Sequence, residues 1–307
     1  MKRVIMTGAT GMIASAVIRK CIQEKVQVIA IVRPNSKKMH NLPKSEYLTF
    51  YESDISELAQ LKGKIKEKCD VFYHFAWDGT YGSSRDDAYL QMNNVKYTLE
   101  AVDLAHELGC TTFIGAGSQA EYGKAEGKLS DTTPVNPLTG YGIAKYTAGK
   151  LSRLHAEQLG MTHIWTRILS VYGPGDNDFT MVMSSIKKML LGEHAAFTKG
   201  EQHWDYIHCD DAANAFFLLG KSGKHGSVYP IGSGTTKFLH EYITIMRDCI
   251  SKDIEIGLGE VPYQPNQVME LCADITKLTA DTGFTPQISF EDGIKETIEW
   301  FKENRLS

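Results

Sequence analysis

Along its first half the chain alternates short runs of consecutive apolar residues with longer stretches whose apolar residues recur at helical spacing. The runs predict buried strands, and the stretches between them predict helices that cross from one strand to the next. We predict strands at 2–7, 26–32, 48–51, 71–75, 112–116 and 163–168, and helices at 11–23, 85–108 and 141–159. This order is typical of an α/β fold with a doubly wound parallel sheet covered by helices on both faces.

The pattern is less regular after residue 172. We predict helices at 179–191, 210–219, 239–249 and 291–302, and a strand at 228–231. We therefore expect residues 1–171 to form the sheet domain and residues 172–307 to form mainly a smaller, interleaved lobe. Segments near 203–233 and the last helix are expected to return to the sheet domain. Because ligands of such sheets bind beyond the carboxyl ends of the strands, we expect the second lobe to bind substrate there.

Hydrophobic residues make up 42% and charged residues 23% of the 307 residues, and the formal net charge is −4. This balance predicts a globular protein with no general attraction for nucleic acid or an anionic membrane. No apolar run is long enough to span a bilayer, and Gly8 comes too early for a signal peptide, so we expect a cytoplasmic protein. The six scattered cysteines include no Cys-x-x-Cys pair, which fits reduced thiols, and we predict no metal site.

The first predicted strand runs into the segment Thr7-Gly8-Ala9-Thr10-Gly11-Met12-Ile13-Ala14. Glycines here allow a tight turn and a close approach of the backbone to a pyrophosphate, which the N-terminus of the following helix attracts. Many strand–helix turns carry glycine, but this position after the first strand favours dinucleotide binding by a Rossmann sheet. The residues predicted to bind the cofactor in this segment are Gly8, Thr10, Gly11, Met12 and Ile13.

The end of the second predicted strand distinguishes NAD from NADP. An acidic residue there would bind the hydroxyls of the adenine ribose, but this chain has Arg33-Pro-Asn-Ser36-Lys37-Lys38. The planar guanidinium of Arg33 can bind a 2′-phosphate, assisted by Ser36 and Lys37. The alternative is a solvated basic loop. We predict NADP, with NAD less favoured because no carboxylate occupies this position.

A hydroxyl and a Tyr/Lys pair follow the glycine turn in the order Ser118, Tyr141, Lys145. Because they are four residues apart on a predicted helix, Tyr141 and Lys145 share a face. We expect Lys145 to favour the phenolate and so to lower the pKa of Tyr141 toward neutrality, which suits proton transfer at a carbonyl or carbinol oxygen. Tyr-x-x-x-Lys is common by chance and Ser118 could cap a loop, but the combination predicts a catalytic site for hydride transfer.

With these residues in place, the chain resembles the extended short-chain dehydrogenase/reductases, and among them the epimerase/dehydratase branch that acts on nucleotide sugars. The resemblance covers essentially the whole chain. Further motifs that carry it are Gly117-Ser118-Gln-Ala-Glu-Tyr122-Gly, Arg167-Ile-Leu-Ser-Val-Tyr172-Gly-Pro-Gly, Trp204-Asp-Tyr-Ile-His208 and Ile231-Gly-Ser-Gly234. Many relatives pair the two long helices, here predicted at 85–108 and 141–159, across a two-fold axis, so the resemblance implies a homodimer.

The resemblance implies a role for each matching position. Tyr141 would be the acid/base, Ser118 would hydrogen-bond the reacting oxygen, and Lys145 would bind the nicotinamide ribose and tune Tyr141. The other implied cofactor contacts are Asp54 and Ile55 at the adenine, Phe75 and Ala76 under the cofactor, Asn94 near the nicotinamide ribose, and Gly117, Ile168 and Ser170 elsewhere along it.

The predicted substrate contacts are Trp77, Asp78, Gln119, Ala120, Arg167, Tyr172, Phe179 and Trp204. Trp77 and Asp78 lie just past the fourth predicted strand, where they would line the sugar pocket. Arg167 could equally be an ion-pair partner at the edge of the core. Trp204 and Gln264 stand where relatives commonly carry basic residues that bind the diphosphate, so a smaller substrate without a nucleotide also fits.

The residues after Ser118 bear on the reaction. The 4,6-dehydratases of the family carry Asp-Glu after the catalytic Thr, whereas this chain has Gln119-Ala120, so dehydration is not predicted. We favour NADP-dependent reduction of a nucleotide-linked 4-keto-6-deoxyhexose with Tyr141 as proton donor. The alternatives are a nucleotide-sugar epimerase with transient oxidation, a reductase of a non-nucleotide carbonyl, and an NADP-binding redox sensor without turnover.

Overall fold

The computed structural model describes residues 1–264 and 267–306. Its strands are β1 (Arg3–Thr7), β2 (Gln27–Val32), β3 (Leu48–Glu52), β4 (Val71–His74), β5 (Thr112–Ser118), β6 (Thr162–Ile168), β7 (Ser170–Tyr172), β8 (Ala195–Phe197), β9 (His203–Trp204), β10 (Tyr206–His208), β11 (Val228–Ile231), β12 (Lys237–Phe238), β13 (Ile256–Leu258) and β14 (Glu270–Leu271). Its helices are α1 (Met12–Gln23), α2 (Ala88–Glu107), α3 (Gly140–Gln158), α4 (Met181–Leu190), α5 (Cys209–Ser222), α6 (Leu239–Ile250), α7 (Thr276–Thr282) and α8 (Phe290–Arg305).

The central sheet has seven parallel strands in the order β11-β6-β5-β4-β1-β2-β3. From β1 the chain builds the sheet outward to β2 and β3 on one side, and then to β4, β5 and β6 on the other. The gap between β1 and β4 is therefore the topological switch point, where sheets of this type bind ligands. Thr7 is in register with His74, and Ser118 with Ile168. The carboxyl ends of β1, β4, β5 and β6 therefore meet along one edge of the sheet.

Apolar side chains on both faces of the sheet explain why a layer of helices covers each face. On one face, Val17 of α1 and Phe216 of α5 belong to one buried cluster. On the other face, Leu104 of α2 packs with Phe113 of β5 in a second cluster. Removing these surfaces from water is the main force that holds the layers together. A third cluster joins α4, α6 and α8 in the second lobe.

The predicted α/β fold with a doubly wound parallel sheet is confirmed, and each strand predicted before residue 169 is present. The helix predicted from residue 85 begins later, at Ala88. The reason is that the Asp87 carboxylate accepts hydrogen bonds from the N–H groups of Tyr89 and Leu90 and so starts the helix. Residues Gly82–Asp86 form a separate 3-10 turn.

The sequence did not predict the short strands β7 to β10 and β12 to β14, nor helix α7. All seven of these strands contain two or three residues, which is too short to show a period. β11 was predicted, and it joins the sheet beside β6. Among the described residues, no helix combines the length and the apolar character that crossing a bilayer requires.

Candidate active site

A cleft of about 510 Å³ opens at the carboxyl edge of the sheet, where β1, β2, β4, β5 and β6 end. It is lined by the glycine turn after β1, by the segments after β2 and β4, by the end of β5 and by the start of α3. Predicted cofactor residues that line it are Gly8, Thr10, Gly11, Met12, Ile13, Arg33, Ile55, Phe75, Ala76, Gly117, Tyr141, Lys145 and Ile168. The structure thus brings most of the predicted set into one cavity.

The glycine turn has the geometry that a dinucleotide requires. Gly8 has φ +66°, and a Cβ atom there would lie 2.7 Å from the backbone nitrogen of Ala76, so only glycine fits. The Gly8 carbonyl accepts a hydrogen bond from the Gly11 N–H at 3.0 Å, which closes the turn. Within the described residues no side chain caps the first turn of α1. Its N–H groups and dipole are available to a pyrophosphate at this end of the cleft.

Two basic residues face the cleft beyond β2. The side chain of Arg33 is 70% exposed, and its Nη1 lies 3.9 Å from Asp78 Oδ1. Lys38 also lines the cleft and donates from Nζ to Asn177 Oδ1 at 2.7 Å. No carboxylate stands at the end of β2 itself, and Asp78 reaches Arg33 from the segment after β4.

The structure changes the assignment of the other two residues in this basic loop. Ser36 shares a hydrogen bond with Thr10, with 3.4 Å between their hydroxyl oxygens, and does not line the cleft. Lys37 is exposed and also lies outside the lining. Lys38 lines the cleft and Lys37 does not, because the loop turns between them. Nothing in the local spacing distinguishes the two lysines.

Three further predicted cofactor residues have structural partners instead of facing the cleft. Asp54 accepts hydrogen bonds from the N–H and hydroxyl of Ser56 and caps a 3-10 turn. Asn94 is fully buried, and its amide exchanges hydrogen bonds of 2.9 Å with the backbone of Asp78. Ser170 Oγ accepts from Trp204 Nε1 at 2.8 Å. Asn94 therefore holds the segment after β4 in place and does not line the cavity.

Ser118, Tyr141 and Lys145 converge in the cleft, as their order along the chain predicted. Lys145 is buried, and its Nζ donates to the Ala116 carbonyl at 2.6 Å. The same ammonium lies 3.7 Å from the centroid of the Trp77 ring and 5.8 Å from that of Tyr141. Burial lowers the pKa of Lys145 to about 7, with Glu121 opposing the change.

The electrostatics of Tyr141 differ from the prediction. Burial raises the pKa of Tyr141 above its usual value, and a hydrogen bond with Ser118 and the charge of Arg85 act in the opposite direction. The expected lowering of this pKa by Lys145 was wrong for this arrangement, because the Lys145 ammonium is turned toward Ala116 and Trp77. Arg85 was missed, since it reaches Tyr141 from a 3-10 turn that is remote in sequence.

A second cavity of about 390 Å³ adjoins the cleft and shares Thr80, Tyr81, Ser118 and Tyr141 with it. The predicted substrate residues Gln119 and Ala120 line this adjoining cavity. Trp77 and Asp78 line the cleft instead. The hydroxyl-bearing pair Ser118 and Tyr141 thus stands at the boundary between the two spaces.

The remaining predicted substrate contacts face neither cavity. Arg167 is a buried ion-pair partner of Glu121, with 2.9 Å between Nε and Oε2. Tyr172 is buried and donates from its hydroxyl to the Phe290 carbonyl at 3.3 Å. The indole of Trp204 is held by Ser170. Each of the three has a polar partner inside the protein, and their predicted substrate contacts stay predictions.

Phe179 lies beside the cleft and not in its lining. Its side chain is 59% exposed and packs edge-on against Tyr81, with 4.1 Å between the ring centroids. The Tyr81 hydroxyl accepts a hydrogen bond from Asn177 Nδ2 at 2.9 Å. Tyr81 lines both cavities and was not singled out from the sequence.

A group of metal-binding residue types, His208, Asp210 and Glu296, lies outside both cavities. His208 Nδ1 accepts a hydrogen bond from the Asp210 backbone N–H, which leaves the ring proton on Nε2. Arg19 already pairs with Asp210 at 2.7 Å. Because a metal needs the free lone pair of a ring nitrogen and an available carboxylate, this arrangement favours a structural role.

Comparison with known proteins gives a consistent result. The chain is 25% identical over 325 residues to a dTDP-glucose 4,6-dehydratase of Streptomyces niveus, covering 99% of this chain and 94% of the relative. A UDP-N-acetylglucosamine 4-epimerase of Methanobrevibacter ruminantium, solved with UDP-N-acetylmuramic acid, has a TM-score of 0.89 at 25% identity, with 98% of each chain covered. A dTDP-glucose 4,6-dehydratase of Streptomyces venezuelae, solved with NAD, shares the fold with a TM-score of 0.86 at 23% identity, covering 99% of this chain and 98% of that one.

The family assignment rests on a match over most of the chain. The sequence profile of the NAD dependent epimerase/dehydratase family matches residues 4–232, which include the glycine turn, Ser118, Tyr141 and Lys145. The seven-stranded sheet and the cleft at its carboxyl edge agree with this match. This chain therefore belongs to the NAD-dependent epimerase/dehydratase family.

Proposed function

We propose that the protein reduces the ketone of a nucleotide-linked 4-keto-6-deoxyhexose and uses NADPH as the reductant. The observation that carries the proposal is the position of Ser118 and Tyr141 on the boundary between the cleft and the adjoining cavity. A carbonyl at this boundary would meet a proton donor on one side and the cofactor on the other. The adjoining cavity is the space for the sugar.

The residues of the cleft fit a dinucleotide with a 2′-phosphate. The space beside Gly8 excludes any side chain, and the open N-terminus of α1 suits the pyrophosphate. Arg33 and Lys38 are the basic side chains lining the far end of the cleft, and an arginine fork suits a phosphate. When bound there, the reduced cofactor supplies the hydride.

The chain itself supplies the proton. Tyr141 would give its phenolic proton to the carbonyl oxygen as that oxygen gains negative charge, and Ser118 would hydrogen-bond the same oxygen. Lys145 holds its ammonium between the Ala116 carbonyl and the Trp77 ring. From there it would bind a ribose hydroxyl.

Dehydration is not the reaction we propose, although several relatives are named dehydratases. Elimination of water needs an acid or base beside the sugar in addition to the tyrosine. Gln119 and Ala120 occupy the positions after Ser118 and line the adjoining cavity. Neither side chain can donate or accept a proton at neutral pH, and the carboxylate of this cavity, Glu270, comes from β14 and not from the segment after Ser118.

Epimerisation is the second candidate, because the solved relative with the TM-score of 0.89 is named a UDP-N-acetylglucosamine 4-epimerase. An epimerase would use the same Tyr141 and Ser118 to oxidise and then reduce one sugar carbon. It would return its cofactor unchanged, so it would consume no NADPH. A reductase needs exchange of the cofactor at each turnover, which the exposed position of Arg33 permits.

A substrate panel separates the two reactions. Purified protein and NADPH are mixed with dTDP-, CDP- and GDP-linked 4-keto-6-deoxyhexoses, and the absorbance of reduced nicotinamide is followed. Stoichiometric loss with one member is expected and would identify its nucleotide. Unchanged absorbance with every member would overturn the reductase. Formation of a stereoisomer without loss of NADPH would establish the epimerase.

We also propose that the protein is a homodimer through α2 and α3. These neighbouring helices expose large apolar side chains, among them Tyr89 at 87%, Met92 at 67%, Ile143 at 52% and Leu154 at 56%. A second copy related by a two-fold axis would cover this patch with the same patch. Ile143→Glu is expected to give a monomer in sedimentation, whereas Leu258→Glu, at another exposed site, should leave the dimer intact. A wild-type monomer would contradict the proposal.

A further inference from the structure

We propose that Arg85 is a positioning residue of the active site, whose guanidinium lies on the Tyr141 ring and stabilises the phenolate formed when Tyr141 gives up its proton. This inference rests on the proposed role of Tyr141 as proton donor and adds a second cation to the Tyr/Lys pair. Arg85 is the basic residue among those that line the adjoining cavity.

The position of Arg85 is built into the fold. Its Cζ atom lies 4.5 Å from the centroid of the Tyr141 ring. Its Nη1 donates to the Thr80 carbonyl at 3.0 Å, which fixes the far end of the side chain. The neighbouring Asp86 carboxylate accepts from the Gly140 N–H at 2.8 Å, so the 3-10 turn is tied to the first residue of α3. Tyr141 is the next residue of that helix.

The groups that face Tyr141 come from several elements. Lys145 lies on the same helix, and Ser118 hydrogen-bonds Tyr141 from the end of β5. Glu121 and Tyr81 act against the phenolate and raise the pKa of Tyr141, while Arg85 lowers it. Arg85 is thus the cation that opposes the effects of burial and of the carboxylate.

Lys145 and Arg85 differ in how readily they lose their positive charge. Burial brings the pKa of Lys145 to about 7, so the charge of this side chain depends on pH in the neutral range. A guanidinium stays charged throughout the working range of an enzyme. Arg85 is also only half-buried, so its charge needs no buried partner. The structure therefore assigns the permanent positive charge beside Tyr141 to Arg85.

The test follows the ionisation of Tyr141 directly, without substrate. Tyrosine labelled at Cζ with ¹³C is incorporated, and the Tyr141 signal is identified by its loss in Tyr141→Phe. In Arg85→Met we expect the Tyr141 titration midpoint to rise by about one pH unit, the usual effect of removing a nearby charge. The Tyr141 midpoint in Arg85→Lys, which keeps a charge, should lie between those of the wild type and Arg85→Met. Arg153→Met removes a cation from the exposed face of α3 and should leave the midpoint unchanged.

Two results would overturn the inference. One is an equal midpoint in Arg85→Met and the wild type, with both proteins folded and binding NADPH equally. The other is an equal rise of the midpoint in Arg153→Met, which would show that the shift does not depend on a charge at the Tyr141 ring. Because the spectrum needs no turnover, failure of the proposed reduction would leave this result intact. If reduction occurs, the pH profile of kcat should move with the midpoint in Arg85→Met.

Discussion

Glu121 and Arg167 form a buried ion pair that supports the turn after β5. Arg167 Nε donates to one carboxylate oxygen of Glu121 at 2.9 Å. The other oxygen accepts from the Ser118 N–H and from Trp165 Nε1, each at 2.9 Å. The pair therefore fixes the backbone of Ser118.

Arg167→Met should destabilise the protein by about 3–5 kcal/mol, because it leaves the buried Glu121 carboxylate without its cation. Urea unfolding followed by circular dichroism measures the loss. Arg153→Met, which removes an exposed partner of Glu157, is the control and should change stability little. Full stability together with weakened substrate binding would restore the substrate contact that the sequence predicted for Arg167.

Tyr141→Phe should lower turnover by about 10²- to 10⁴-fold, the usual contribution of a positioned acid or base. NADPH binding, measured by fluorescence titration, should be unchanged because the ring remains in place. Tyr146→Phe alters a tyrosine on the same helix outside both cavities and should keep its activity. Retained turnover in Tyr141→Phe would refute the catalytic assignment.

Arg33→Met should weaken NADPH binding by about tenfold to a hundredfold, since a hydrogen bond to a charged group contributes about 1.5–3 kcal/mol. Binding of NADH, which lacks the 2′-phosphate, should change little. Lys37→Met is the matched control because Lys37 lies outside the cleft. Equal losses for the two cofactors would mean that Arg33 does not recognise the phosphate.

Two buried histidines predict how stability depends on pH. Burial lowers the pKa of both His74 and His163 from 6.5 to about 3. Between these values the unfolded chain binds protons that the folded protein does not, so the free energy of unfolding should fall as pH falls from 6.5 toward about 3. Urea titrations across this range measure the slope. His163→Gln should reduce it, and an unchanged slope would contradict the assignment.

The sequence predicted those parts of the site whose residues lie close together along the chain. The Gly8 turn follows directly from its strand, and Tyr141 and Lys145 share a face because of helical periodicity. Arg167 and Asn94 have buried partners outside both cavities, which a sequence motif does not show. Arg85 was missed because its contact with Tyr141 depends on how a 3-10 turn docks on α3, which no local pattern encodes.

The most direct test of the central claim is transfer of a labelled hydride. NADPH carrying deuterium at the transferring position of the nicotinamide is incubated with the panel member that oxidises it, and the product sugar is analysed by NMR. We expect one deuterium on the former ketone carbon of the sugar in the wild type, and about 10²- to 10⁴-fold slower formation of that labelled product in Tyr141→Phe. A wild-type product without deuterium would contradict hydride transfer from NADPH to the sugar.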